Sequence, residues 1–166
     1  MTVTALALVC TLKPGPEDSS TQLIADQVLA ALGEHGVTGT SVRVVDHDVR
    51  PGVLTDMGDG DAWPSIRAQV LAADILVLAT PIWMGHASSI AHRVLERLDA
   101  ELSETQDDGR PILFDKVAVA AIVGNEPMMR AHFVTRVSEG QWETTQPWDT
   151  IAPRLLNFPE PSPFNF

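Results

Sequence analysis

The stretch Ile75-Leu76-Val77-Leu78-Ala79-Thr80-Pro81-Ile82-Trp83-Met84-Gly85-His86-Ala87-Ser88-Ser89 decides how the chain folds. Its first five residues are apolar without a break, the mark of a parallel strand buried on both faces. Pro81, Gly85 and His86 then interrupt an uncharged run that reaches His92. The segment is therefore a strand, a loop and the start of a helix, and not a membrane span. Val3 to Cys10 and Val117 to Val123 have the same near-continuous apolar character. These three runs are expected to form the middle of one sheet, with the shorter, partly alternating Ser41–Asp46 as its edge strand.

Helical patterns separate the runs. Ile24, Val28, Ala31 and Leu32 recur on one face of a helix expected from about Ser20 to Glu34, ending near Gly36. A second helix starts near Pro64 and buries Ile66, Val70 and Leu71. A third runs from about Ser88 to Leu102, with Ile90, Ala91, Val94, Leu95 and Leu98 inward and Arg93, Glu96, Arg97 and Glu101 solvated. Strand and helix alternate, so the fold class is α/β: a doubly wound parallel sheet in three α/β/α layers. The acidic, Gly-containing segments Asp46–Asp61 and Ser103–Arg110 read as surface loops.

Composition agrees with one ordinary domain. The chain has 166 residues, is 45% hydrophobic, and carries a formal charge of −11. That charge argues against nucleic acid or an anionic membrane surface as partner and favours a small molecule or a basic protein. Cys10 is the only cysteine, so no intrachain disulfide forms and the expected compartment is the cytoplasm. The start, Met1 to Val9, has neither the basic leader nor the cleavage site of a secretory signal.

In open parallel sheets, ligands bind beyond the carboxyl ends of the strands, where strand order reverses. Three loops leave such ends. The first, Thr11-Leu12-Lys13-Pro14-Gly15-Pro16-Glu17-Asp18-Ser19-Ser20-Thr21, brings hydroxyls to a helix start, an arrangement able to cradle a phosphate, with Lys13 as a point charge. Ser19 to Gln22 is equally a capping box worth about 0.5–2 kcal/mol. The second, Thr80 to Ser89, sets Ile82, Trp83 and Met84 where the chain should face solvent. That surface suits a flat heteroaromatic ring, with Gly85 allowing close backbone approach, or else a cover over the sheet or a dimer interface. The third, Val123-Gly124-Asn125-Glu126, permits close approach at Gly124 or is a simple turn.

Taken together, the Thr11–Thr21 loop, Thr80-Pro81-Ile82-Trp83-Met84-Gly85 followed by Ser88-Ser89 and a helix, and Val123-Gly124-Asn125-Glu126 resemble the flavodoxin-like NADPH-dependent FMN reductase family across roughly residues 3–126. The resemblance implies an FMN-binding flavoprotein that moves hydride or electrons from NADPH or NADH to a small-molecule acceptor or redox partner protein. It implies Thr11, Lys13, Ser19, Ser20 and Thr21 on the phosphate side. Pro81, Ile82, Trp83, Met84 and Gly85 would line the ring, and Gly124, Asn125 and Glu126 would close the pocket. No side chain is expected to act as acid, base or nucleophile, because the flavin carries the chemistry. Homo-oligomerisation is a further family implication. The first loop is longer and richer in proline than the compact Thr-x-Thr-Gly-x-Thr loop of short-chain flavodoxins, which favours the reductase branch over the alternative of an electron carrier.

The family continues with a fourth helix, a fifth strand and a last helix, and here the pattern stops. Residues 125–166 hold six of the 12 prolines and four of the five phenylalanines. The expectation is an FMN-binding core at 1–126 and a divergent, Pro- and aromatic-rich segment at 127–166, with the last strand and helix incomplete or altered. Within it, Pro127 to Val137 reads as a short helix or strand, little regular structure is expected from Gly140 onward, and Asn157 to Phe166 reads as a polyproline-like tail. A remnant lacking flavin is a second alternative. Other signals are weaker. Asp56, Asp59 and Asp61 lack EF-hand spacing and read as a solvated loop, and His35, His47, His86, His92 and His132 lack zinc spacing. His86 and Ser88 lack a nucleophile elbow. His86 would lie near a bound ring but suits a surface or capping role better, and Cys10 reads as buried filler. No Gly-x-Gly-x-x-Gly follows a strand, so a nicotinamide nucleotide would bind transiently over the flavin.

Overall fold

Apolar β-branched and leucine-rich runs pair in parallel because both their faces can be covered by helices. In the computed structural model, which describes residues 2–124 and the backbone of 134–138 and 141–145, the chain divides into two compact units, Met1–Gly124 and Asn125–Phe166. The first contains β1 (Thr4–Val9), α1 (Ser20–Gly33), β2 (Thr38–Arg43), α2 (Trp63–Ala72), β3 (Ile75–Trp83), β4 (His86–Ala87), α3 (Ser89–Asp99) and β5 (Val117–Val123). The parallel strands lie in the order β2-β1-β3-β5. The chain winds outward from β1 to β2 and then crosses back to β3, so order reverses between β1 and β3. Cys10 N–H donates to Ala79 O at 2.8 Å, extending that pairing past the end of β1.

One face is a tight layer of small residues. Ala7, Val9, Val77, Ala79 and Ala121 pack with Ala25, Ile24, Val28 and Leu32 of α1. The other face is bulkier: Leu6 and Leu8 meet Trp63, Ile66 and Val70 of α2 and Ala91 and Val94 of α3. Each buried Leu or Ile contributes about 1.5–3 kcal/mol, so the larger core lies on the α2/α3 side. The result is the expected flavodoxin-like three-layer arrangement.

Several boundaries differ from the sequence reading. The edge strand is Thr38–Arg43, and Val44–Asp46 is a 3-10 turn. Within the strand Gly39 packs so closely on Leu29 of α1 that an added Cβ would lie 2.8 Å from its side chain. α3 ends at Asp99 and continues as a 3-10 turn to Ser103. Arg97 and Glu101, expected in solvent, are buried, whereas Leu95, expected inside, is exposed. The reversal has a cause: Asp61 and Arg67, from the preceding loop and α2, supply ion-pair partners that the helical period cannot show. β5 is not central among the described residues, since it pairs only with β3 and Val117 and Ile122 are exposed.

In the second unit, β6 (Val134–Ser138) and β7 (Gln141–Thr145) pair antiparallel with Ser138 opposite Gln141. Regular structure therefore does occur beyond Gly140. Trp142, Thr144 and Thr145 have the β-branched and aromatic character that favours a strand, which the nearby prolines obscured. The polyproline-like tail, the altered last helix and most of Pro127 to Val137 fall outside the described residues.

Candidate functional site

Beyond the carboxyl end of β1 the chain enters the hydroxyl-rich loop with Thr11 buried. Thr11 Oγ1 accepts from Ser19 Oγ at 2.9 Å and from the Lys13 N–H at 3.2 Å, tying the first residue of the loop to the start of α1. Ser19 is the N-cap, and its Oγ accepts from Gln22 N–H at 3.3 Å. Only half of a capping box forms: the Gln22 side chain turns away, donating to Asp26 and Ser41 and accepting from Arg43. Between them Thr11 and Ser19 hold two hydroxyl protons and spend one on each other, which leaves the second for an acceptor outside the pair. The first-turn amides of Ser20 and Thr21 have no intrahelical acceptor, and the helix dipole favours an anion there. Lys13 Nζ donates to Asp18 O at 3.2 Å within the same loop.

Two residues that sequence reading missed hold this loop from outside. Arg43, the last residue of β2, donates from Nη1 to Glu17 O at 2.9 Å and to Pro14 O at 3.3 Å. Asp46 Oδ1 accepts from the Gly15 N–H at 2.8 Å. The parallel pairing of β1 with β2 was the only available clue, since it brings the end of β2 beside the loop that leaves β1.

The second loop is shorter than expected because β3 continues to Trp83. Met84 (φ 51°) and Gly85 (φ 79°) make a two-residue turn, and His86–Ala87 returns antiparallel with His86 opposite Trp83. Positive φ at both turn residues is the type I′ geometry that matches strand twist. Pro81 is buried and Ile82 half-buried, while Trp83 and Met84 stand at the exposed tip. The hairpin is fastened to the first loop by Ser88. Ser88 Oγ donates to Cys10 O at 2.6 Å and accepts from Ala91 N–H at 3.1 Å, and the Ser88 N–H donates to Thr80 Oγ1 at 3.1 Å. Ser88 thus caps α3 and joins the ends of β1 and β3.

At the third strand end Gly124 is exposed; Asn125 and Glu126 lie outside the described residues. Thr11, Ser19, Ser20, Thr21, Pro81 to Gly85 and Gly124 therefore share the carboxyl edge of the sheet. An open depression of about 320 Å³ lies at the opposite, amino edge, between Leu71, Asp74, Gln106, Ile112, Asp115 and Lys116. Its polar groups serve the fold: Lys116 Nζ closes the end of α2 on Leu71 O and Ala73 O, and Asp74 accepts from Thr4. Burial draws the Lys116 ammonium below its ordinary pKa, against the pull of Asp74 and Asp115.

Cys10 is fully buried and burial pushes its thiol to about 12, so it is filler and no nucleophile. Asp61 is not the solvated residue expected, since its carboxylate meets Arg97. Among the described residues no three His, Cys, Asp or Glu side chains gather as metal ligands, and no helix is long and apolar enough to cross a membrane.

The chain is similar to known proteins in sequence and in fold. The chain matches the family described as NADPH-dependent FMN reductase over residues 3–140. It is 35% identical over 136 residues to the 8-demethyl-8-aminoriboflavin-5'-phosphate synthase of Streptomyces davaonensis, covering 76% of this chain and 52% of that protein. It is 40% identical over 126 residues to a protein of Mycobacterium bovis named divalent metal cation transporter MntH, covering 74% of this chain and 18% of that protein. The chain thus spans about half the length of one curated relative and under a fifth of the other. Among solved structures, RosB with bound 8-demethyl-8-formylriboflavin-5'-phosphate superposes with a TM-score of 0.67 at 34% identity, covering 75% of this chain and 53% of RosB. A flavone reductase (TM-score 0.57, 19% identity, 75% of this chain and 44% of that one) and apo NADH:FMN oxidoreductase EMOB (0.55, 22%, 76% and 61%) share the fold. On the extent of the family match, the chain belongs to the NADPH-dependent FMN reductase family.

Proposed function

We propose that the carboxyl edge of this sheet binds FMN and that the protein passes hydride or electrons from NADPH or NADH to an acceptor. The observation that carries the reading is the pairing, across the β1/β3 reversal, of an anion-receptive helix start with an exposed aromatic hairpin. The residues present fit the cofactor. A phosphate dianion needs donors, and the Ser20 and Thr21 amides, the spare Thr11/Ser19 hydroxyl proton and Lys13 supply them. A flat ring needs an apolar wall, and Pro81, Ile82, Trp83 and Met84 provide one, with Gly85 presenting backbone without a side chain and open space where its Cβ would stand. Gly124, exposed at the end of β5, lies on the same edge of the sheet. Bound FMN would supply the two-electron and one-electron redox chemistry; the side chains bind, orient and exclude water. That RosB holds a riboflavin 5'-phosphate derivative supports the phosphate assignment.

The test is the visible spectrum of the purified protein, followed by gel filtration with added FMN. A yellow protein that retains FMN and oxidises NADPH steadily is the expected result. Retained FMN without NADPH oxidation would indicate a carrier, and absence of both colour and co-elution would leave a flavin-free remnant.

A further inference from the structure

We propose that Arg43 and Asp46, neither of them in the loop, are the positioning residues that hold the Thr11–Thr21 loop in its phosphate-receptive shape. The inference rests on the flavin reading above and goes beyond it by naming what sets the site's affinity for the phosphate. The loop is exposed from Leu12 to Asp18, and ordering such a segment only when the ligand arrives would be paid out of binding energy. Here it is already ordered, by contacts from the end of β2. The Arg43 guanidinium bridges Pro14 O and Glu17 O, the two ends of a turn closed by Glu17 N–H to Pro14 O at 3.1 Å. Its Nε also donates to Gln22 Oε1 in the first turn of α1, at 3.3 Å, so one side chain fixes the turn relative to the helix start. Asp46 takes the Gly15 N–H, and a Cβ on Gly15 would stand 3.1 Å from Asp46 Oδ2, so the carboxylate is seated directly against the backbone. Arg43 also adds a positive charge beside a loop that carries Glu17 and Asp18 against Lys13 alone. Lysine could supply that charge but not the planar fork that spans three acceptors.

Riboflavin, which has the ring but no phosphate, separates this role from a general structural one. Affinities for FMN and riboflavin are measured by flavin-fluorescence titration on the full chain, with Arg43→Met, Arg43→Lys and Asp46→Ala. The expected result is a loss of FMN affinity of about tenfold or more in Arg43→Met, with riboflavin affinity unchanged, so that the FMN preference collapses. Arg43→Lys should recover only part of it, and Asp46→Ala, which removes the acceptor of the Gly15 N–H, should show the same selective loss and keeps the proposal falsifiable where Arg43→Met fails to fold. Equal losses for both ligands, or no loss for either, would overturn the proposal. Failure of the unaltered protein to bind either flavin would remove the flavin reading itself. Riboflavin binding with no FMN preference in the unaltered protein would remove only the phosphate site and, with it, this proposal.

Discussion

Arg97 and Asp61 meet 2.7 Å apart, Nη2 to Oδ2, with both side chains wholly removed from solvent. The carboxylate also accepts from the backbone N–H groups of Met57, Trp63 and Arg50, so it organises the loop that leads into α2 and fastens it to α3. The guanidinium lies 5.7 Å from the Trp63 ring centre, adding a cation–π contact. α3 begins at Ser88, which touches the ends of β1 and β3, so the pair anchors the helix whose other end frames the candidate site.

Removing one partner strands the other. Asp61→Ala leaves the Arg97 charge buried and three amides without their acceptor, and should cost about 3–5 kcal/mol. Asp61→Ala/Arg97→Met should recover part of that loss. Urea denaturation of the three proteins is the measurement, and a double variant no more stable than Asp61→Ala would show that the stranded charge is not the cause.

The same carboxylate predicts the acid limb of stability. Burial alone would raise its pKa, but the amides of Met57, Trp63 and Arg50 together with Arg97 hold it below the ordinary 3.8. The folded pKa is depressed, so the stabilisation is fully present above about pH 4 and is lost as pH falls through the lower folded value. Asp74 is lowered likewise, first by the Thr4 backbone N–H and then by its hydroxyl. Asp61→Asn should flatten the decline of stability below pH 4; an unchanged acid limb would assign it to other groups.

These ion pairs also show where sequence reading stops. Continuous apolar runs gave β1 and β3 and their parallel pairing because a strand buried on both faces leaves that mark whatever its neighbours are. The helix starts at Ser19 and Ser88 were legible for a similar reason, since capping is local. Arg97 and Glu101 were misplaced because their burial depends on partners 36 and 34 residues away, Asp61 and Arg67. Arg43 and Asp46 escaped notice for the same reason: their loop contacts exist only once β2 pairs with β1. β5 had the composition of a central strand, yet what covers a strand is a property of the rest of the chain. Thr11, Ser19, Trp83 and Gly85 could be placed at the carboxyl edge of the sheet because strand-end loops are positioned by topology alone.

Cys10 should be chemically silent. With its thiol pushed to about 12 and no exposed surface, the native protein should resist a thiol-specific reagent at pH 8 and react once only on unfolding in denaturant. Rapid native labelling would mean that the end of β1 opens far more often than the packing implies.

Ser88 carries two jobs on one hydroxyl, capping α3 and holding Cys10 O. Ser88→Ala removes the cap, worth about 0.5–2 kcal/mol, and leaves a buried carbonyl without its donor, a further cost of about 1–3 kcal/mol. Ser88→Thr keeps the hydroxyl and should retain most of the stability. Thermal unfolding of both variants checks this, and equal destabilisation would point to volume in place of hydrogen bonding.

Met84 occupies a conformation that its side chain disfavours. At φ 51° it is the only residue other than glycine with positive φ among the described residues, and it stands first in the type I′ turn, where asparagine followed by glycine is preferred. A left-handed residue with a Cβ costs about 1–2 kcal/mol, and asparagine reduces that cost by bonding locally. Met84→Asn should therefore stabilise the hairpin, by up to about 1 kcal/mol. If methionine is kept there as apolar wall for the ring, the same change should weaken binding of FMN and riboflavin alike, in contrast to the phosphate-selective loss expected at Arg43. A variant both more stable and unimpaired in flavin affinity would place the ring away from this turn, and Trp83→Ala would then be the next position to titrate.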